Sequence, residues 1–264
     1  MPSYTHGHAE SVLRSHRART AANSAAYLLP HLGPTDRLLD VGSGPGTITA
    51  DLAGLVAEVV AVEIDDPAAA LTRAGLADRG VTNAEVVVGD VHALDLADAS
   101  FDVVHAHQVL QHVADPVAAL REMARVVRPG GVIGVRDSDY AAFAWYPRLP
   151  GLDRWLELYQ QAARANGGEP DAGRHLLAWA HAAGLEDVEA GSSTWCFATP
   201  ESRAWWGGMW ADRVTGSALA EQLVDQGRAD RAELAEVADA WRAWAADPDG
   251  WICIPHGELV VTRR

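Results

Sequence analysis

The sequence predicts an α/β protein built on a mainly parallel sheet with helices on both faces. Three observations lead there. From Arg37 to about residue 137, apolar runs alternate with helix-periodic stretches, the pattern of strand–helix–strand units. The first apolar run breaks into Gly42-Ser43-Gly44-Pro45-Gly46, where glycine admits positive φ and close approach of a ligand, and Pro45 suits a helix start. Acids close successive runs: Asp40 ends the first, Glu63 the second, and Asp90 follows the third.

Taken in order, residues 1–36 form an N-terminal helical segment. Tyr4-Thr5-His6-Gly7-His8 is too short and polar to fold alone, and it either closes over a site or is a loose terminus. Residues 11–32 carry Leu13, Ala21, Ala25 and Leu28 at helical intervals, which predicts one helix or two. Residues 37–137 read as a ligand-binding core with strands at 38–41, 58–63, 84–88, 101–105 and 132–135. Helices fall at about 46–53, 67–79 and 116–127. The last is the best defined. Asp115 caps it, Pro116 fits its first turn, Val117, Leu120, Ala124 and Val127 make its buried stripe, and Pro129-Gly130-Gly131 ends it.

After the fifth strand the texture changes, because all ten tryptophans lie from Trp145 onward. Helices are predicted at 153–165 and 172–183, and a sixth strand at 187–197. Another helix starts at Thr199-Pro200. Asp230 with Glu233 makes a capping box for a further one, striped by Leu234, Val237, Trp241 and Trp244. Residues 257–262 read as a final antiparallel strand. The segment 199–250 is therefore expected to be a helical insertion, capping a single domain over 1–264.

Composition narrows the partners. A formal net charge of −15 argues against nucleic acid and against an anionic membrane surface. Two cysteines, Cys196 and Cys253, make neither a disulfide framework nor a metal cluster, so no metal is expected. With no signal-like apolar segment at the N-terminus, a reduced cytoplasmic protein is the simplest expectation. Nothing in the sequence sets the oligomeric state.

The glycine loop needs its neighbours to identify a ligand. A dinucleotide loop wants glycine where this chain has Thr47, and a P-loop would end in Gly-Lys-Ser/Thr, which is absent. Glu63 lies about 20 residues beyond Gly42, the distance at which a second-strand acid takes both ribose hydroxyls. Asp90 can accept from an exocyclic amine. Three carboxylates around one crevice repel pyrophosphate and suit a cationic, ribose-bearing adenosine compound.

These stretches resemble a known family. Residues 38–47, 59–65, Gly89-Asp90-Val91, 101–113 and 125–131 look like the ordered motifs of class I S-adenosylmethionine-dependent methyltransferases, nearest the ubiquinone/menaquinone-type branch. The resemblance implies a Rossmann-like seven-stranded sheet of order 3-2-1-4-5-7-6 and S-adenosylmethionine as cofactor. By it Asp40, Gly42, Gly44 and Gly46 belong to the cradle of the methionine part and sugar. Glu63 holds the ribose, Asp90 the adenine amine, and Ile64 and Val91 flank the ring. Ser43 departs from the cysteine many relatives carry there.

Methyl transfer asks mainly for position, with an attacking atom about 3 Å from the methyl and water excluded. The end of the fourth strand faces the methyl in this fold, which makes His107 the candidate for cofactor and acceptor contact and for general base. A structural histidine is the equal alternative. His112 matches the family's common histidine, and a structural role is the stronger reading for it. The acceptor-binding candidates are Tyr4, His8, Asp137, Tyr140, Trp145, Trp206, Trp210 and His256, although tryptophans at helical spacing are more often core. The expected function is methylation of a small, partly apolar molecule, with oxygen as the first choice of acceptor atom. The alternatives are a nicotinamide-dependent oxidoreductase, or a cofactor-binding protein of the same fold with non-methylating activity.

Overall fold

The computed structural model describes residues 10–264, and these divide into two compact units. The larger runs from His16 to Asp137, with Ala172–Ser193 and His256–Arg264. The smaller comprises the described residues up to Ser15, Ser138–Asp171 and Thr194–Pro255. The sequence predicts one domain with an insertion at 199–250, whereas residues 138–171 group with residues 194–255.

The larger unit holds the parallel sheet. Its strands are β1 (Arg37–Val41), β2 (Glu58–Glu63), β3 (Ala84–Val88), β4 (Phe101–His107) and most of β5 (Val127–Ser138). Chain order then brings β6 (Ala144–Tyr146) in the smaller unit, and β7 (Val188–Phe197) and β8 (Trp251–Thr262), which each run through both. The order is β3-β2-β1-β4-β5-β8, with β7 paired to β8. Counting β7 and β8 as the sixth and seventh strands, this is the expected order. Parallel pairing joins Leu39 to Val60 and to Val104, so β1 is central and apolar on both faces. Leu39, Val41, Val60, Val104, Ile133 and Val135 fill one core, closed by Leu120 and Met123 of α5 (Pro116–Val126). On the other face Leu38, Val59 and Val103 pack with Leu28, Ile48 and Leu52.

The N-terminal helical run is broken in pieces: α1 (Glu10–Arg17), α2 (Ala21–Ser24) and a 3-10 turn at Leu29–His31. Thr20 explains the break, because its side chain accepts from the Asn23 amide and Asn23 answers to the Thr20 amide, a complete capping box. Helix α3 (Thr47–Ala53) follows the glycine loop, and α4 (Asp66–Asp78) follows β2, capped by Asp65.

In the smaller unit β6 pairs antiparallel with residues 251–253 of β8, a strand pair absent from the expected fold. Its helices are α6 (Pro150–Ala165), α8 (Pro200–Gly216), α9 (Ala218–Asp225) and α10 (Arg231–Ala246), whereas α7 (Leu176–Ala182) belongs to the larger unit. Trp155 meets Trp210 edge-on at 4.6 Å and Trp241 at 4.9 Å between ring centroids, and Trp241 meets Trp244 edge-on. Such pairs add about 0.5–1.5 kcal/mol each beyond area burial. Glycine permits the tight α8–α10 contact: a Cβ on Gly207 would lie 2.8 Å from the Trp241 carbonyl oxygen.

Among the described residues no helix is long and apolar enough to cross a membrane, and no cluster of His, Cys, Asp or Glu is fit to hold a metal ion.

Candidate active site

The candidate site of the larger unit is built at the carboxyl ends of β1, β2, β4 and β5, where ligands of open α/β sheets bind. Gly42, Gly44 and Gly46 all have positive φ, between 56° and 73°. A Cβ on Gly42 would sit 2.6 Å from Cγ2 of Val109, so the loop fits under β4's exit only without one. Helix α4 is pressed on the loop as well, since a Cβ on Gly75 would come within 2.0 Å of the Pro45 carbonyl oxygen.

A glycine-rich loop leading into a helix commonly offers its amides to a ligand. Instead, the three glycine N–H groups are committed internally. Gly42 donates to Val62 O (2.8 Å), Gly44 to Oε1 of Glu63, and Gly46 to Ser43 O (3.0 Å). What the loop presents is an open backbone surface with an acid at its edge. Glu63 is buried there, and burial pushes its carboxyl up to about 7.

Asp40 lies behind the loop, 2% exposed, with both oxygens engaged: Oδ1 with Nδ1 of His105 (2.7 Å) and Oδ2 with the Thr49 hydroxyl (2.6 Å). It pins β1, β4 and α3 together, a support for the cradle. Ile64, directly after Glu63, is 62% exposed, an apolar side chain held in solvent at a strand end. Asp90 is exposed, and its Oδ1 accepts from the His92 amide (2.9 Å), a bond that holds its carboxyl below the usual range. Val91 is buried in the core. Exposed Ile64 with acids on either side, beside a loop that tolerates no Cβ at Gly42, fits an adenosine compound.

At β4's end the backbone turns into a polar cluster. Gln108 has φ of 55°, unusual for a residue with a side chain, and is held by its N–H to Arg136 O (2.7 Å). Its Oε1 accepts from Nη2 of Arg19 (2.7 Å), and its Nε2 lies 2.9 Å from Nε2 of His256. Arginine only donates, so the amide orientation follows, and His256 must accept at Nε2 and carry its proton on Nδ1. His107 stacks on His256 with ring centroids 6.2 Å apart. Burial, with Arg19 and Arg136 nearby, holds the pKa of His107 well below its ordinary value, so the ring is neutral. His112 is likewise pushed down to about 3, chiefly by burial, and its Nε2 meets the Gln111 side-chain amide at 2.9 Å.

Asp137 follows on β5. Its Oδ1 accepts the Gln111 amide (3.0 Å), whereas Oδ2 is buried without a hydrogen-bond partner. Burial raises its carboxyl to about 7. Arg136 beside it is engaged by Glu258 (3.0 Å) and by the Ser193 hydroxyl (3.1 Å).

The structure thus brings Gly42, Gly44, Gly46, Glu63, Ile64, Asp90, His107, Asp137 and His256 into one unit at the strand ends, with Asp40 behind them. The aromatic candidates belong to the smaller unit. Tyr140 stacks on Tyr159 (4.0 Å), Trp206 on Phe197 (4.5 Å), and Trp145 and Trp210 are buried in the same aromatic core of the smaller unit. Tyr4 and His8 fall outside the described residues. Arg19, Gln108, Gln111 and Gly75 were not anticipated. Only Gln108 carried a signal, its position just after His107.

Residues 39–135 match a family profile described as a methyltransferase domain. An uncharacterized methyltransferase of Schizosaccharomyces pombe is 36% identical over 97% of this chain and 95% of its own length. A demethylmenaquinone methyltransferase of Mycobacterium sp. is 35% identical over 58% of this chain and 65% of its own. In fold, the chain resembles the Haemonchus contortus phosphoethanolamine N-methyltransferase 2 solved with phosphomonomethylethanolamine and S-adenosylhomocysteine. That likeness has a TM-score of 0.58 at 15% identity, over 90% of this chain and 52% of that one.

Proposed function

Since the chain belongs to the class I S-adenosylmethionine-dependent methyltransferases, we propose that it methylates an oxygen of a small, partly apolar molecule. The nicotinamide alternative falls with that membership. Bound S-adenosylmethionine supplies a methyl group already activated on a sulfonium sulfur. The chain's task is then to hold the donor, present the acceptor, exclude water and remove one proton.

Glu63, Asp90, Ile64 and the open face of Gly42 and Gly44 are the residues to hold the donor. The observation that carries the oxygen reading is Asp137, a buried carboxyl with one oxygen lacking a partner and a pKa raised to about 7 by burial. A hydroxyl must lose its proton as it attacks, and a base half-ionised at neutrality is matched to that work. His107 keeps the role of acceptor contact as a neutral ring. Its depressed pKa makes it the weaker base of the two. The mycobacterial relative is named for a quinone acceptor, which supports an apolar molecule.

Transfer of labelled methyl from S-adenosylmethionine to a panel of phenols, hydroquinones, amines and carbon acids tests this. Labelled methyl ethers, formed at a rate rising through pH 7, are expected. Transfer confined to nitrogen or carbon would overturn the oxygen reading, and full turnover in Asp137→Asn would remove the base. No binding of S-adenosylhomocysteine at millimolar concentration would leave the donor site without support.

A further inference from the structure

The helical segment 199–250 leaves the sheet from β7 and returns to it in β8, and the chain's two cysteines stand at those two places. Cys196 lies near the end of β7, shortly before α8 opens at Pro200, and Cys253 is the third residue of β8 after α10. Both belong to the smaller unit, and both are free thiols.

Bonds between the two strands fix their register. Thr262 donates its N–H to Asp187 O (3.0 Å), which opposes these residues at a hydrogen-bonded position of an antiparallel pair. A Cβ on Gly191 would lie 3.9 Å from Oε2 of Glu258, and the Ser193 hydroxyl donates to Oε1 of the same glutamate, so the count is kept along the strands. Nine residues on from Asp187, and nine back from Thr262, Cys196 faces Cys253. The odd number of steps makes this a non-hydrogen-bonded position, where side chains come closest and Cα atoms are about 4.5 Å apart. Disulfides bridge Cα separations of roughly 4.4–6.8 Å. Local contacts agree: the Cys253 thiol is hydrogen-bonded by the side chain of Thr194, its diagonal neighbour, and feels the Cys196 thiol electrostatically.

The pair is also open to reagents. Cys196 is exposed, Cys253 is half-buried, and Ala144, which faces Cys253 from β6 on the other edge, is small and exposed. Burial pushes the Cys253 thiol up, which leaves exposed Cys196 as the point of attack.

We propose that Cys196 and Cys253 form a modification site, a cross-strand dithiol that exchanges with low-molecular-weight disulfides and closes to a reversible intramolecular disulfide. The Cys196 thiolate attacks one sulfur of the small disulfide, forming a mixed disulfide and expelling a thiolate. Cys253 then gives its proton to solvent, attacks Sγ of Cys196 and expels the second small thiolate. The protein loses two electrons and two protons, and the small disulfide gains them as two thiols. An exposed bond of this kind is readily reduced again. Closed, it ties the entry of the 199–250 segment to its exit and so encloses α8, α9 and α10 in one loop.

Equilibration of the full chain with oxidised glutathione in the absence of denaturant, followed by alkylation and peptide mapping by mass spectrometry, tests this. Both thiols should be lost together in a monomer, with the Cys196 and Cys253 peptides joined, and dithiothreitol should restore both. Cys253→Ser should instead accumulate a glutathione adduct on Cys196, and Cys196→Ser should keep its remaining thiol. Cys196→Ser alters an exposed position and carries the comparison should Cys253→Ser fail to fold. The urea midpoint read by tryptophan emission should rise on oxidation of the unaltered chain and stay in place for Cys196→Ser. Two alkylatable thiols after equilibration, separate glutathione adducts on both cysteines, or chains joined to one another would each overturn the proposal. An unchanged midpoint in the oxidised protein would overturn the tie across the helical segment.

Discussion

Replacing Asp137 by asparagine removes a buried ionisable group with almost no change of shape. The carboxyl has its ordinary value of 3.8 in the unfolded chain and about 7 in the folded protein, because burial disfavours the charged form. A raised folded pKa means the folded state holds a proton that the unfolded state has released. The resulting loss of stability is absent below pH 3.8, grows between 3.8 and about 7, and is complete above 7. Between pH 5 and pH 8 the penalty grows by roughly two pKa units, or about 2.5 kcal/mol at 1.36 kcal/mol per unit. Asparagine escapes this growth. It can still accept the Gln111 amide, but it leaves a buried NH2 without a partner, a cost of about 1–3 kcal/mol that does not vary with pH. Glu63 titrates in both proteins and cancels in the comparison. Urea unfolding followed by far-ultraviolet circular dichroism, at pH 5, 6, 7 and 8 and constant ionic strength, should show Asp137→Asn gaining on the wild type by about 2.5 kcal/mol across the series. Parallel pH profiles would refute the reasoning, since they would mean that Asp137 is ordinary in the folded state. The same variant should be more stable at pH 8 and less active, the combination expected of a strained functional group.

Glu63→Ala should weaken S-adenosylhomocysteine by about 1.5–3 kcal/mol, the worth of charge-assisted hydrogen bonds, and unchanged affinity by calorimetry would show that the ribose lies elsewhere. In the unaltered protein that affinity should rise as pH passes through about 7 and Glu63 ionises; a flat profile contradicts this. Gly75→Ala places a Cβ 2.0 Å from the Pro45 carbonyl oxygen, so α4 must shift. A loss of about 1–3 kcal/mol in stability is expected, together with weaker cofactor binding. An unchanged melting temperature would refute it. Ile64→Ala should leave stability within about 0.5 kcal/mol, because the side chain is 62% exposed, and should weaken S-adenosylhomocysteine several-fold, as an equilibrium titration would reveal; equal affinity removes Ile64 from the adenine site.

The parts legible in the sequence were those governed by local rules. Strands at 58–63 and 84–88 stand where the apolar runs placed them, and the helix opened by Asp115-Pro116 begins where its cap dictates. Errors came where a local rule met a long-range partner. Helix α5 ends within a residue of the stop that Pro129-Gly130-Gly131 predicts, but β5 starts at Val127 rather than 132 and takes in that motif, with Gly130 donating to Arg263 O and Phe101 pairing with Val127 across an irregular register. The final strand, expected at 257–262, instead runs from Trp251 through Pro255, and Gly257 lets it pass close to the Gly173 carbonyl. Strand β6 is three residues long and exists only through its pairing with 251–253. In the site, the acids and glycines were readable because strand ends and turns announce them. Arg19 was not, since its meaning depends on Gln108, 89 positions away.

Nine of the ten tryptophans belong to the smaller unit, leaving Trp179 alone in the larger one. Spectroscopically the chain is labelled in one unit. Intrinsic fluorescence reports almost wholly on the smaller unit, whereas the far-ultraviolet signal sums both units. Denaturation followed with the two probes together therefore distinguishes loss of one unit from loss of the other without any added dye. A change of emission provoked by S-adenosylhomocysteine would have to arise in the smaller unit or at Trp179, and Trp179→Phe would separate the two.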